Sequence, residues 1–95
     1  MAFAFAATLP HMEYRGKRSG STDRGRWLSL VFEDSEARQL DVSVRKDMQD
    51  DVLSLGLSKG DVCAISIFAS ARADGNSYVQ LTALPELADS GEVDF

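Results

Sequence analysis

The sequence predicts an all-β domain, a small barrel that carries one short helix. Three observations predict it. Five runs of residues alternate apolar and polar side chains with a period of two. One run, between the third and the fourth, switches to helical spacing. Polar turns rich in Gly, Asp and Ser separate the runs.

The first strand starts at Met12, with Met12, Tyr14 and Gly16 on one side and Glu13, Arg15 and Lys17 on the other. Tyr14, in step with Met12, reads as core. Ser19-Gly20-Ser21-Thr22-Asp23 is a turn by composition. Trp27 to Glu33 alternates next: Leu28, Leu30 and Phe32 face inward, and Trp27, Ser29 and Val31 outward. After the polar turn Asp34-Ser35-Glu36, the run Arg38 to Arg45 places Leu40, Val42 and Val44 inside. Met48, Val52 and Leu55 then mark one face of a short helix. Asp47 suits its N-cap, with Asp50 and Asp51 in the first turn beside the positive end of the helix. Gly56 suits the position after its end, and Leu57 is placed to fold back on it. Lys59-Gly60-Asp61 feeds a long strand, Val62 to Arg72, with Cys63, Ile65, Ile67 and Ala69 on one face. Asp74-Gly75-Asn76 is a hairpin turn. Tyr78 to Leu84 closes the domain with Val79, Leu81 and Ala83 inward, and Pro85 ends it.

Three strands, a short helix and two more strands, in a chain of this size, match the OB-fold, a five-stranded, partly open Greek-key barrel. A generic five-stranded roll with one helix has the same order of elements and stays open at this point. The expected organisation is an apolar N-terminal arm over residues 1–10, an OB-like domain over 11–85 and an acidic tail over 86–95. The arm, with Phe3 and Phe5, either docks on the body or on a second subunit or is disordered.

Ninety-five residues make one domain, large enough for a core without metal or disulfide support. A hydrophobic content of 44% with 26% charged residues is that of an ordinary globular protein. The lone cysteine, Cys63, reads as a small buried hydrophobe. With one His and one Cys, a structural zinc site within one chain is excluded. Residues 1–9 lack the basic flank of a signal peptide, and no stretch approaches the roughly 20 apolar residues needed to span a bilayer. The expectation is a cytoplasmic protein without membrane contact. His11, the only histidine, sits beside Pro10, and no nucleophile-base set can be assembled around it. Gly16, Gly20 and Gly25 are spaced for a hairpin, not for a phosphate cradle. A protein without catalytic activity or cofactor is therefore expected.

The basic residues are clustered. Arg15, Lys17, Arg18, Arg24 and Arg26 fall within twelve positions and flank the loop between the first two strands. In an OB-fold that loop borders the oligonucleotide groove. Trp27 lies on the outer face of the second strand, and Phe68 and Tyr78 on the outer faces of the fourth and fifth. Cations that follow phosphates and rings that stack on bases are the means by which single strands are bound. Arg45, at the end of the third strand, joins this set of candidates. Residues 1–32 carry five bases and two acids, so the acidic total conceals a locally positive region.

The other end of the chain is acidic. Residues 86–95 hold four acids and no base and end at Asp94-Phe95, so they supply most of the net charge of −5. Acids that find a basic patch, with one ring that fills an apolar pocket, make an economical peptide ligand. An OB-like body with a basic, aromatic-bearing groove, followed by Glu86, Asp89, Glu92, Asp94 and above all Phe95, resembles single-stranded-DNA-binding proteins, particularly the compact ones of phages and mobile elements. The architectural match covers about Met12 to Leu84. Bacterial members usually place Pro before the final Phe and have a long Gly/Pro-rich linker. Here Asp94 stands in that position, as in some phage members, and only Leu87 to Gly91 separate body from tip.

The resemblance implies a body that coats single-stranded DNA and a tail whose Glu92, Asp94 and Phe95 recruit replication or recombination proteins. Two other readings use the same surface. One is an RNA-binding OB module. The other is a protein-protein adaptor in which the Phe3/Phe5 arm adds a strand to a neighbouring subunit and the basic hairpin is incidental.

Overall fold

The computed structural model describes residues 3–71, 75 and 77–87. Six strands form one sheet: β1 (Phe3–Thr22), β2 (Gly25–Glu33), β3 (Gln39–Ser43), β4 (Val62–Ala71), β5 (Ser77–Leu81) and β6 (Glu86–Leu87). The first five close a barrel in the order β1-β2-β3-β5-β4 and back to β1. All neighbours are antiparallel except β3 and β5, which run parallel and meet at Ser43 and Gln80. A 3-10 turn over Lys46–Met48 leads into α1 (Gln49–Ser54), between β3 and β4. This is an OB-like barrel, as the order of elements predicts.

Closure depends on β1, which is long enough to serve two neighbours. Its first part pairs with β4, from Phe3 opposite Ala71 to Glu13 opposite Val62. Its second part pairs with β2, from Glu13 opposite Glu33 to Thr22 opposite Gly25. Two irregularities let it bend. Between Leu9 and Met12 the register against β4 slips, at Pro10, which has no N–H to give to a ladder. Between Tyr14 and Gly16 the register against β2 slips, and Gly16 takes φ +146°, a conformation that L side chains rarely adopt. The backbone of Tyr14 meanwhile bonds both ways with the turn before β4: its N–H donates to Asp61 O at 2.7 Å, and its carbonyl accepts from Gly60 N at 2.8 Å.

The inward positions of the alternating runs fill the barrel. Phe32, Leu30, Val42, Cys63, Ile65 and Leu81 are almost fully buried. Tyr14 packs edge-on against Phe32 with ring centroids 5.8 Å apart. Burial holds the Tyr14 phenol above its ordinary pKa, and the nearby Cys63 adds to this. Met48 and Val52 bring the helix onto the core, and Leu57 folds back against it. Asp34 builds the β2–β3 turn: its Oδ1 accepts from the N–H groups of Glu36 and Arg38, both at 2.9 Å. The Arg38 N–H, foremost among its donors, holds this carboxyl below its ordinary range. The turn therefore gains stability from Asp34 at neutral pH and loses it as pH falls through the lowered pKa.

Several local expectations are corrected. Of the three placements expected for the N-terminal segment, residues 3–10 take docking on the body, as the first half of β1 and continuous with it; alternation there is weak because the run is rich in alanine. Asp47 does not cap α1. It sits inside the 3-10 turn, Met48 takes the N-cap position without a side-chain bond, and the Asp47 carboxylate pairs with Arg45. Leu55 falls at the C-cap and is exposed, while Gln49 takes a buried place. β5 stops at Leu81, so Ala83 lies outside the barrel. Glu86 and Leu87, expected as the start of the tail, pair with Ala64 and Cys63 as β6.

Nothing lies within 4 Å of a Cβ built on Gly16, so Gly16→Ala tests the backbone conformation alone. It should lower unfolding stability by about 1–3 kcal/mol, the cost of a strained φ. The check is a urea titration, where a midpoint equal to the parent's would show that the bend does not need glycine.

Candidate nucleic-acid interface

Two strands and the segment after β3 build the site. β1 and β2 form a hairpin whose turn is Asp23-Arg24, and their paired register sets Gly20 opposite Trp27 and Ser21 opposite Arg26. A Cβ added to Gly20 would lie 2.7 Å from the indole Nε1 and 2.9 Å from Cε2 and Cζ2. The indole therefore lies across Gly20, on the space that a side chain would take. It is held on that side and stays 44% exposed.

Clefts open on both sides of Trp27. One, of about 360 Å³, is lined by Lys17, Ser19, Arg26 and Leu53 together with Gln49. The other, of about 460 Å³, is lined by Arg18, Arg26, Ser29, Asp41, Lys46 and again Gln49. The structure thus brings together Lys17, Arg18, Arg26 and Trp27 of the residues named from sequence. Outward orientation holds for Trp27, Phe68 and Tyr78, all exposed.

The other candidates lie elsewhere. Arg15 is the half-buried bulge residue and donates to Glu13 at 2.9 Å. Arg24 is in the hairpin turn, and Arg45 pairs with Asp47 at 3.3 Å. None of these three lines either cleft. Phe68 and Tyr78 are diagonal neighbours on the outer face of β4 and β5, since Phe68 faces Gln80 and Ser70 faces Tyr78. Ala4 and Ala6 of β1 extend the same two rows. That second face carries no charged residue in those rows and is separate from the Trp27 clefts. Glu92, Asp94 and Phe95 lie outside the described residues.

The cations differ in what already holds them. Arg18 bonds Asp41 at 2.7 Å, and Arg26 approaches Asp50 at 4.0 Å. All four side chains are more than half exposed, so each pair is worth about 0–1 kcal/mol. Lys17 and Lys46 have no ion pair among the described residues; the Lys46 ammonium donates to the Arg24 carbonyl at 3.0 Å. The two arginines can exchange their acids for other anions, and the two lysines have no acid to give up among the described residues.

Sequence reasoning missed Gly20, Lys46 and Gln49. By composition Gly20 is a loop glycine, and only the register shows that it seats the indole. Lys46 and Gln49 reach the clefts because the segment after β3 crosses beside the β1–β2 hairpin, a contact over more than twenty residues of sequence. The chain matches no family model, no curated protein and no solved structure.

Replacing Gly20 by alanine should displace the indole while leaving the barrel in place. The expected readout is a shifted Trp27 emission maximum and faster acrylamide quenching, with an unchanged far-UV circular dichroism spectrum. An unaltered emission spectrum would show that Trp27 does not rest on Gly20.

Proposed function

We propose that this protein binds single-stranded DNA without catalysing a reaction, and that its acidic C-terminal segment recruits replication or recombination proteins. The observation that carries the reading is Trp27, laid across Gly20 with much of its surface open, between two clefts edged by Lys17, Arg18, Arg26 and Lys46. A seated indole loses little freedom when a base stacks on it, and the flanking cations follow the phosphates on either side. Duplex DNA offers the same phosphates but no open base faces. RNA offers both, and a 2′-hydroxyl besides.

The Phe68–Tyr78 face, whose rows carry no charge among the described residues, favours a second reading, a protein-protein adaptor. Aromatic rings with no cation beside them in the described rows suit the centre of a protein contact better than a phosphate track.

Titration of Trp27 emission with oligo-dT, oligo-U and duplex DNA separates these readings. Single strands should bind in the micromolar range or tighter and duplex more weakly. Trp27→Ala should cost about 1–3 kcal/mol of binding free energy with the fold retained. Duplex competing as well as oligo-dT would remove the stacking argument.

Salt dependence reports the phosphate contacts. Neutralising Lys17 and Lys46 together should make the slope of log affinity against log salt shallower by about 1.4, at roughly 0.7 for each phosphate that no longer meets a cation. An unchanged slope would place the strand elsewhere on the barrel.

The acidic segment is proposed to act on partners and not on the nucleic acid. Removing residues 88–95 should leave oligo-dT affinity unchanged or slightly raised, since acids that compete for the cations are gone. Removing Phe95 alone should abolish capture of a replication or recombination protein. Full capture without Phe95 would reduce the segment to a solubilising end.

A further inference from the structure

We infer that Gln49 hydrogen-bonds the edge of the base that stacks on Trp27 and meets adenine at its amino group; this rests on the single-strand reading. Gln49 is the only polar or charged residue in the buried class among the described residues, 8% exposed. It nevertheless lines both clefts beside Trp27. The backbone places it there: Gln49 opens α1 directly after the 3-10 turn, and its own N–H bonds back to Lys46 O.

The amide is anchored on one side only. Its Nε2 donates to the Arg26 carbonyl at a long 3.4 Å, and Arg26 is the neighbour of Trp27 in sequence. A side-chain amide has two N–H donors and a carbonyl with two acceptor sites. One donor is thus engaged, and among the described residues no group donates to Oε1. That leaves a donor and an acceptor of the amide for a ligand that offers an acceptor and a donor side by side.

The neutrality of the group decides what kind of ligand atom it meets. A phosphate would set its oxygens against Oε1 and gain no charge compensation, which Lys17, Arg26 and Lys46 provide at the cleft edges. A base edge fits better. Adenine presents the N6 amino group to Oε1 and N7 to the free N–H, the bidentate pairing that amide side chains make. Guanine shows two acceptors at that edge, O6 and N7, but once unpaired it also offers N1–H beside O6, which an amide can meet. Unpaired cytosine and thymine likewise set a donor beside an acceptor on their Watson–Crick edges, so the contact is tested within one base, with and without its amino group.

The test compares oligo-dA with an oligomer of deoxynebularine, the same purine without its amino group. Stacking area is matched, so the ratio of affinities isolates the edge contact. The parent protein should bind oligo-dA roughly fivefold or more tightly. Gln49→Met, similar in shape but without the amide, should bring the two affinities together.

Equal affinities in the parent protein would overturn the inference, a result that does not depend on any variant folding. A ratio that survives Gln49→Met would also overturn it, as would a variant that weakens all oligomers alike, since both make Gln49 structural. If no oligonucleotide binds at all, the single-strand reading fails first and the inference falls with it. That outcome is distinct from binding without discrimination.

Discussion

Everything in this barrel depends on one strand serving two neighbours. β1 gives its first half to β4 and its second half to β2, and without that double pairing the sheet would have two open edges. A regular strand cannot turn this far over a few residues. The slip at Pro10-His11 and the bulge before Gly16 provide the turn, each with a residue suited to an interrupted ladder. Tyr14 lies between the two irregularities. Its backbone bonds the turn before β4 while its ring meets Phe32 of β2, so it couples the two halves of the barrel where β1 bends.

The same bend creates the candidate site. Beyond Gly16, β1 has left β4 and runs only beside β2, so its last residues form a hairpin that projects past the closed part of the barrel. A projecting hairpin has two outer faces and little core to fill. That explains why small residues, Ser19, Gly20 and Ser21, can occupy β1 opposite large ones, Leu28, Trp27 and Arg26, on β2. The large side chains lie over the small ones. The segment after β3 then packs beside the hairpin, with Lys46 and Gln49 bonding the carbonyls of Arg24 and Arg26. Those bonds tie the hairpin to the helix and give the clefts their second wall.

Period-two alternation made the core legible because each strand buries one face and wets the other: Leu28, Leu30, Phe32, Val42, Cys63, Ile65 and Ile67 all lie where the pattern puts them. Alternation also gave the outward direction of Trp27, Phe68 and Tyr78. It could not give their grouping. Which outward residues share a cleft depends on register between strands, and register is a property of pairs that no single run contains. Hence Trp27 and Phe68 look alike in sequence and lie on separate faces. The first half of β1 escaped detection for a related reason. Ala4, Ala6 and Ala7 give almost no contrast between faces, and the partner that orders them, β4, comes some sixty residues later. The helix cap failed because Asp47 lies one residue before the N-cap, in a 3-10 segment that apolar spacing does not distinguish from α-helix.

The acids on the site matter as much as the bases. Asp41 and Asp50 pair with Arg18 and Arg26, and both pairs are solvent-exposed. Exposed pairs contribute little to folding, so breaking them costs little, and a phosphate that takes the guanidinium leaves behind a carboxylate that water can solvate. Under the single-strand reading, the carboxylate then stands near the bound strand and repels it. The arrangement lowers affinity for any polyanion that offers charge alone, duplex DNA included, and leaves stacking on Trp27 as the contribution that charge cannot replace. A site built from equal numbers of unpaired arginines would bind more tightly and discriminate less. Under the single-strand reading, the two aspartates are therefore part of how the surface selects unpaired bases and not a defect in its charge.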